Sequence, residues 1–184
     1  SLDLDCFFTG LFNQINVQPL TAGSIISLGL AMILLFVSSF MSASEVAFFS
    51  LTPSDINEIR EENNASDVLI QRLLNRSEYL LAAILIGNNF VNVAVVMLCT
   101  FGIHLIFDFT ASPLLGFILE TIVLTFLLLL FGEIMPKIYA QKNSLCFVRR
   151  SAPIMNVVER ICHPFSKILV TSTSLINRSL VKKK

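Results

Sequence analysis

Three stretches of this chain, residues 25–51, 79–107 and 114–135, are so long and so apolar that water is the wrong solvent for them. A helix needs about 20 mainly apolar residues to cross a bilayer core, and each stretch reaches that length. Lipid offers no partner to a backbone N–H or C=O, so runs of this kind pair their own backbone as helices. Composition agrees. Hydrophobic residues make up 54% of the 184 and charged residues 14%, where soluble domains carry about a quarter charged. The expectation is an all-α membrane protein with three transmembrane helices in one compact domain. Cys6, Cys99, Cys146 and Cys162 show no paired spacing, which argues against a disulfide framework or a zinc knuckle and for small apolar fillers. The opening "SLDLDCFF" has no basic region of the sort that begins a signal peptide.

Basic residues set the expected orientation, because lysines and arginines of short loops stay in the cytoplasm. None precedes the first span, where Asp3 and Asp5 lie, and none falls in "FDFTASP" between spans two and three. Arg60, Arg72 and Arg76 occupy the link between spans one and two, and every other basic residue, from Lys137 to Lys184, follows the third. The N-terminus is therefore expected outside and the C-terminus in the cytoplasm, in a bacterial inner or plasma membrane. The chain divides into an extracytoplasmic segment (1–24), a three-span domain (25–143) and a juxtamembrane helix (144–184).

The basic link reads as a helical hairpin. Thr52 is placed to cap a helix that begins at Pro53 with Asp55 in its first turn. Ser66 can cap a second, with Val68, Leu69, Leu73 and Leu74 on one side. After the third span Ile154, Val157, Val158, Ile161, Phe165, Ile168 and Leu169 recur at helical spacing. Glu159, Arg160 and Lys167 make a fourth crossing costly, so this is expected to be an amphipathic helix at the inner interface, bent at Pro164. The final "VKKK" brings no closing turn signal, as in a domain cut from a longer protein.

Polar residues interrupt all three spans. Ser38, Ser39 and Ser44 read as small residues that let backbones approach. Glu45 is an ionisable group inside a span, a functional candidate unless it sits near the end and bonds the hairpin. In "ILIGNNFVNVAVV", Asn88 and Asn92 share a helix face behind Gly87 while Asn89 points about 100° away. They serve either as interhelical glue or as a lining whose neutral oxygens suit hard cations such as Mg²⁺, Ca²⁺ or Na⁺. In "TFLLLLFGEIMPKIYAQK", Pro136 has no N–H for the carbonyl four residues back, that of Gly132, and Glu133 stands beside it. Two readings fit: a proline kink with Glu133 snorkelling or paired to Lys137, or a pair of oxygens lining a polar cavity. Counting about 1.5 Å per residue puts Ser42, Asn88 and Glu133 all in the inner half of the membrane.

At these residues a resemblance appears. "SASEVAFFSL", "LIGNNFVN" and "GEIMPK" resemble the three signature stretches of the CNNM/CorC family's transmembrane domain, in the right order and on the right spans. The resemblance implies a homodimeric magnesium-transporting membrane domain, with transport coupled to Na⁺ and a juxtamembrane helix held like a belt against membrane lipid. It further implies that nucleotide binds only through cytoplasmic CBS domains, absent from this chain, and that no nucleic acid is involved. Carried over residue by residue, it implies that a dehydrated Mg²⁺ is held by Ser42, Asn88, Asn92, Gly132 and Glu133, with Ser44, Glu45 and Asn89 as neighbours and Pro136 as the shaping residue. Phe48 and Phe49 make the first motif bulkier than the family pattern.

Two other classes compete with Na⁺-coupled Mg²⁺ export. One is a non-transporting module that senses a cation or anchors a partner. The other, an intramembrane enzyme, lacks support: His104 lies far from Ser42 and Ser44 along its helix, and no HExxH motif is present. Glu120 fits neither the motif nor its face, and could line an outer vestibule, pair across a dimer or bind the coupling ion. On a background free of native cysteines, a cysteine at Asp3 or Thr110 is expected to react with an impermeant thiol reagent from outside, and one at Ser66 is not. Labelling of Ser66 from outside overturns the three-span topology.

Overall fold

The apolar runs become three long helices, the first of them opened by a polar cap. The computed structural model describes residues 16–62, 64–108 and 113–181. Helix α1 spans Ala22–Phe49, with the Thr21 side chain accepting the Ser24 N–H. A hairpin of α2 (Pro53–Glu62) and α3 (Ala65–Asn75) follows. The second span is α4 (Ser77–His104). The third is built of α5 (Pro113–Leu127), a π-helical stretch (Leu128–Ile134) and α6 (Met135–Lys142). Helix α7 then runs through Ser144–Val181 with Pro153 and Pro164 inside it. The helices long and apolar enough to cross a membrane are Ala22–Phe49, Ser77–His104 and Gly116–Lys142, so the all-α, three-span expectation holds. Asp3, Asp5, Cys6, Thr110 and the lysines at 182–184 lie outside the described residues.

Local chemistry at the hairpin follows the sequence closely, with two shifts. Thr52 and Asp55 bond reciprocally: the Asp55 carboxylate takes the Thr52 N–H at 2.8 Å and the Thr52 hydroxyl takes the Asp55 N–H at 3.3 Å. Helix α3 opens earlier than Ser66 suggests, because Asn64 holds the cap position and its N–H bonds Asp67. The side chains that α3 buries most deeply are Asp67, Ile70 and Leu73, while Val68 faces out. A short antiparallel pair that sequence did not suggest joins β1 (Asn16–Val17) to β2 (Phe107–Asp108) at the far end of the bundle, Asn16 opposite Asp108.

The core lies at the hairpin end. Met41, Ala47 and Phe48 of α1, Ile59 of α2, Ile70 and Leu73 of α3, and Leu80 and Ile84 of α4 pack with Val148, Ala152 and Met155 of α7. Helix α7 thus buries one face in protein and leaves Ile154, Val157, Ile161, Phe165 and Ile168 exposed on another. That second stripe is the amphipathic pattern of the sequence, but the helix is anchored by its other side. One side chain fixes the junction. Arg149 of α7 donates from Nε to the fully buried Asp67 at 3.0 Å and from Nη1 to Glu58 at 3.2 Å, and its Nη2 lies 2.9 Å from Glu62 as an ion pair outside hydrogen-bond alignment. The Asp67 hydrogen bond, with the pull of all three carboxylates, raises the Arg149 guanidinium above its ordinary value.

Helices α1 and α4 run antiparallel in close contact, which small residues permit. A Cβ on Gly102 would stand 2.7 Å from Ser27 Oγ and 2.9 Å from Leu28 Cγ, neither a loose chain end, whereas nothing lies within 4 Å of one on Gly29. Gly102→Ala is therefore expected to lower thermal stability in detergent by about 1–3 kcal/mol through overpacking. Gly29→Ala should be neutral or stabilising by up to about 1 kcal/mol from helix propensity; equal effects at the two sites would contradict this packing.

Candidate functional site

Oxygen atoms meet where α1, α4 and the π stretch touch. Ser38 is fully buried on α1, and its hydroxyl lies 2.9 Å from Asn88 Oδ1 and 2.5 Å from Asn92 Oδ1. Those two asparagines share a face of α4 because they are four residues apart. Gly132 closes the group from the third span: a Cβ there would be 3.5 Å from Ser38 Oγ, an ordinary contact. One turn along α1, Ser42 is also fully buried, and its hydroxyl has no hydrogen-bond partner among the described residues.

Proton counting gives this group its chemistry. A serine hydroxyl carries one proton, so it donates to one of the two carboxamide oxygens and leaves the other facing a lone pair. Three oxygens at such separations resemble the edge of a metal shell, since cis oxygens about 2.1 Å from an octahedral Mg²⁺ stand about 3 Å apart. No group of three or more His, Cys, Asp or Glu able to hold a metal occurs among the described residues. The group itself offers neutral hydroxyl and carboxamide oxygen, the ligand type of hard cations.

The proline's effect differs in register from the one read in sequence. Met135 N–H bonds to Leu130 O, five residues back. In that π register residue 136 would serve Phe131 rather than Gly132, and residue 136 is proline. The hydroxyl of Ser39 takes up the slack, donating to Phe131 O at 2.5 Å.

Of the residues singled out from sequence, Asn88, Asn92 and Gly132 come together, with Ser42 buried nearby on the same face of α1. Glu133 is half-buried beside Gly132 in the chain and has no hydrogen-bond or ion-pair partner among the described residues. Asn89 turns away and bonds its own helix at Leu85 O, and Ser44 likewise bonds Phe40 O. Glu45 pairs with Lys137 at 3.2 Å, so Lys137 bridges to α1 and not to Glu133. Ser38, a packing residue by its sequence, is instead the centre of the group. The available signal was its spacing, four residues before Ser42 and so on the same face. Glu120 lies elsewhere, buried against α4 with one oxygen 3.1 Å from His104 Nε2.

Three apolar helices around a polar interior of serine, asparagine and backbone oxygen make this a membrane domain. The chain belongs to the CNNM family: the family described as the cyclin M transmembrane N-terminal domain matches residues 29–184. It is similar to the UPF0053 inner membrane protein YfjD of Escherichia coli, 32% identical over 56% of this chain and 23% of that protein. A UPF0053 protein of Haemophilus influenzae is 30% identical over 82% of this chain and 34% of its own length. The metal transporter cnnm-4 of Caenorhabditis elegans is 28% identical over 80% of this chain and 31% of its own length. The chain thus spans between 23% and 34% of the lengths of these relatives.

Removing Ser38 takes the hydroxyl away from two half-buried carboxamide oxygens. Ser38→Ala is expected to cost about 1–3 kcal/mol in thermal unfolding, whereas Asn89→Ala, at an exposed position, should stay within about 0.5 kcal/mol. A larger loss at Asn89 than at Ser38 refutes the assignment of the polar centre.

Proposed function

We propose that this domain moves a divalent cation, Mg²⁺, across the membrane through the oxygen group at the junction of the three spans. The observation that carries the reading is the meeting of Ser38, Asn88 and Asn92 oxygens in a part-buried place, with Gly132 against Ser38. Mg²⁺ would enter as cargo, with Ser42, Asn88, Asn92, the Gly132 carbonyl and Glu133 as its ligands and Ser38 among them. Ser42 supports this, since a buried hydroxyl without a partner is costly unless something else occupies it. Glu133 would supply the one formal charge that helps offset dehydration of a divalent ion. Kinship with a metal transporter points the same way.

Orientation and assembly belong to the same proposal. Arg60 and Arg72 lie in the hairpin, Arg76 at its end, and Arg149 of α7 is bonded to it, which supports a cytoplasmic position for that end, with the N-terminus outside. Na⁺ is proposed as the coupling ion and a homodimer as the working unit. The exposed Ile154, Val157, Ile161, Phe165 and Ile168 of α7 would lie on lipid or on the second copy. The same exposed face favours the second reading, a module that senses a cation or anchors a partner without transporting. Nucleotide would act only through CBS domains outside this chain.

Flux separates the two. Purified protein in liposomes is expected to carry Mg²⁺, faster with an opposing Na⁺ gradient, while binding without flux supports the sensing module. Glu133→Gln keeps shape and oxygen but removes charge, and should weaken Mg²⁺ binding by about tenfold or more in calorimetry. Glu120→Gln, outside the group, should leave it nearly intact; loss only in Glu120→Gln would place the ion elsewhere.

A further inference from the structure

The third span carries a defect that something must repair. Its π register sends the Met135 N–H to Leu130, and the next donor in the series, due at Phe131, is missing because residue 136 is proline. Phe131 is 47% exposed in the isolated chain, but on a span that surface meets lipid, which has no water for an orphaned carbonyl. Serines within helices commonly bond a carbonyl of their own helix, as Ser44 does with Phe40. Ser39 instead reaches from α1 to Phe131 O.

We infer that Ser39 is a positioning residue: its hydroxyl replaces the N–H that Pro136 lacks, holds the π register, and so decides which way Gly132 and Glu133 face. The π stretch accommodates one residue more than an α-helix of the same length, which turns everything after it by about 100°. In the turned position Gly132 lies beside Ser38 and Lys137 reaches Glu45 at 3.2 Å. With the register relaxed to α, the donor missing at 136 falls on Gly132, and the stretch that carries Gly132 turns relative to Ser38. Ser38 and Ser39 thus divide the work: the first belongs to the polar centre and the second holds the third span against it. The consequence for Mg²⁺ rests on the proposed function; the bond and its structural role do not.

A double-mutant cycle on the whole chain in detergent tests this, using Mg²⁺ affinity by calorimetry and thermal unfolding as separate readouts. Ser39→Ala is expected to weaken Mg²⁺ binding about tenfold, and Ser39→Thr, which keeps the hydroxyl, to return it within about twofold. Pro136→Ala restores an N–H that can serve Phe131, so in that background Ser39→Ala should change affinity by less than about twofold. Equal losses in both backgrounds, or no loss with the proline in place, overturn the inference. If the unsubstituted chain binds no Mg²⁺, the proposed function fails alone and the unfolding temperatures decide for Ser39. A Ser39→Ala shift that is large with the proline present and small in the Pro136→Ala background supports its role, and additive shifts overturn it.

Discussion

Absence of water inside a bilayer is the constraint from which the rest of this structure follows. Each backbone group, hydroxyl and carboxamide in the spans must be paired by protein or by an ion, and an unpaired one costs several kcal/mol. The serines at the far end of α1 meet the rule locally, Ser24 bonding Thr21 O and Ser27 bonding Ser24 O. In the middle of the bundle the pairing runs between helices: Ser38 donates to one of two asparagine oxygens, and Ser39 bonds a carbonyl stripped by a proline. These contacts tie all three spans together where apolar packing alone, equally good against lipid, could not select one arrangement.

Outside the bilayer plane a different force takes over. The hairpin is polar and short, and its grip on the bundle comes from Ile59, Ile70 and Leu73 packing under α1 and α7. Arg149 adds direction to that contact, because a planar guanidinium with three carboxylates from α2 and α3 around it fits in one orientation only. Asp67 is fully buried, so Arg149 is its obligatory partner. The juxtamembrane helix is therefore attached at its beginning and along one face, and its apolar second face is positioned for whatever covers it.

What could be read in the sequence were properties of single helices. Hydropathy located the first two spans to within a few residues, the shift at α1 arising because Thr21 caps it ahead of the apolar run, whereas the third continues past the expected end at Met135 to Lys142. Spacing put Asn88 and Asn92 on one face and Asn89 on another, and the structure agrees. Relations between helices were hidden. Ser38 and Ser42 share a face of α1, and nothing within α1 says which turn will stand opposite the asparagines. The π register was equally invisible: "FLLLLF" presents leucine on every side, so the phase of the helix leaves no polar mark. Proline pointed to a lost hydrogen bond, but the carbonyl that lost it depends on a register that only packing against Ser39 selects.

Neutral oxygens suit a pathway better than a reservoir. A divalent ion held by several carboxylates binds tightly and leaves slowly, whereas conduction needs a site favourable enough to enter and weak enough to quit. On the proposed reading, serine, asparagine and a glycine carbonyl replace part of the hydration shell while only Glu133 contributes charge. Two other carboxylates of the spans are ion-paired, Glu45 with Lys137 and Glu120 through one oxygen with His104. Ion binding would thus hinge on how well the neutral oxygens converge, and their convergence depends on the third span keeping its register. Transport in such a domain would be governed through geometry, with small rotations of one helix making and unmaking the shell.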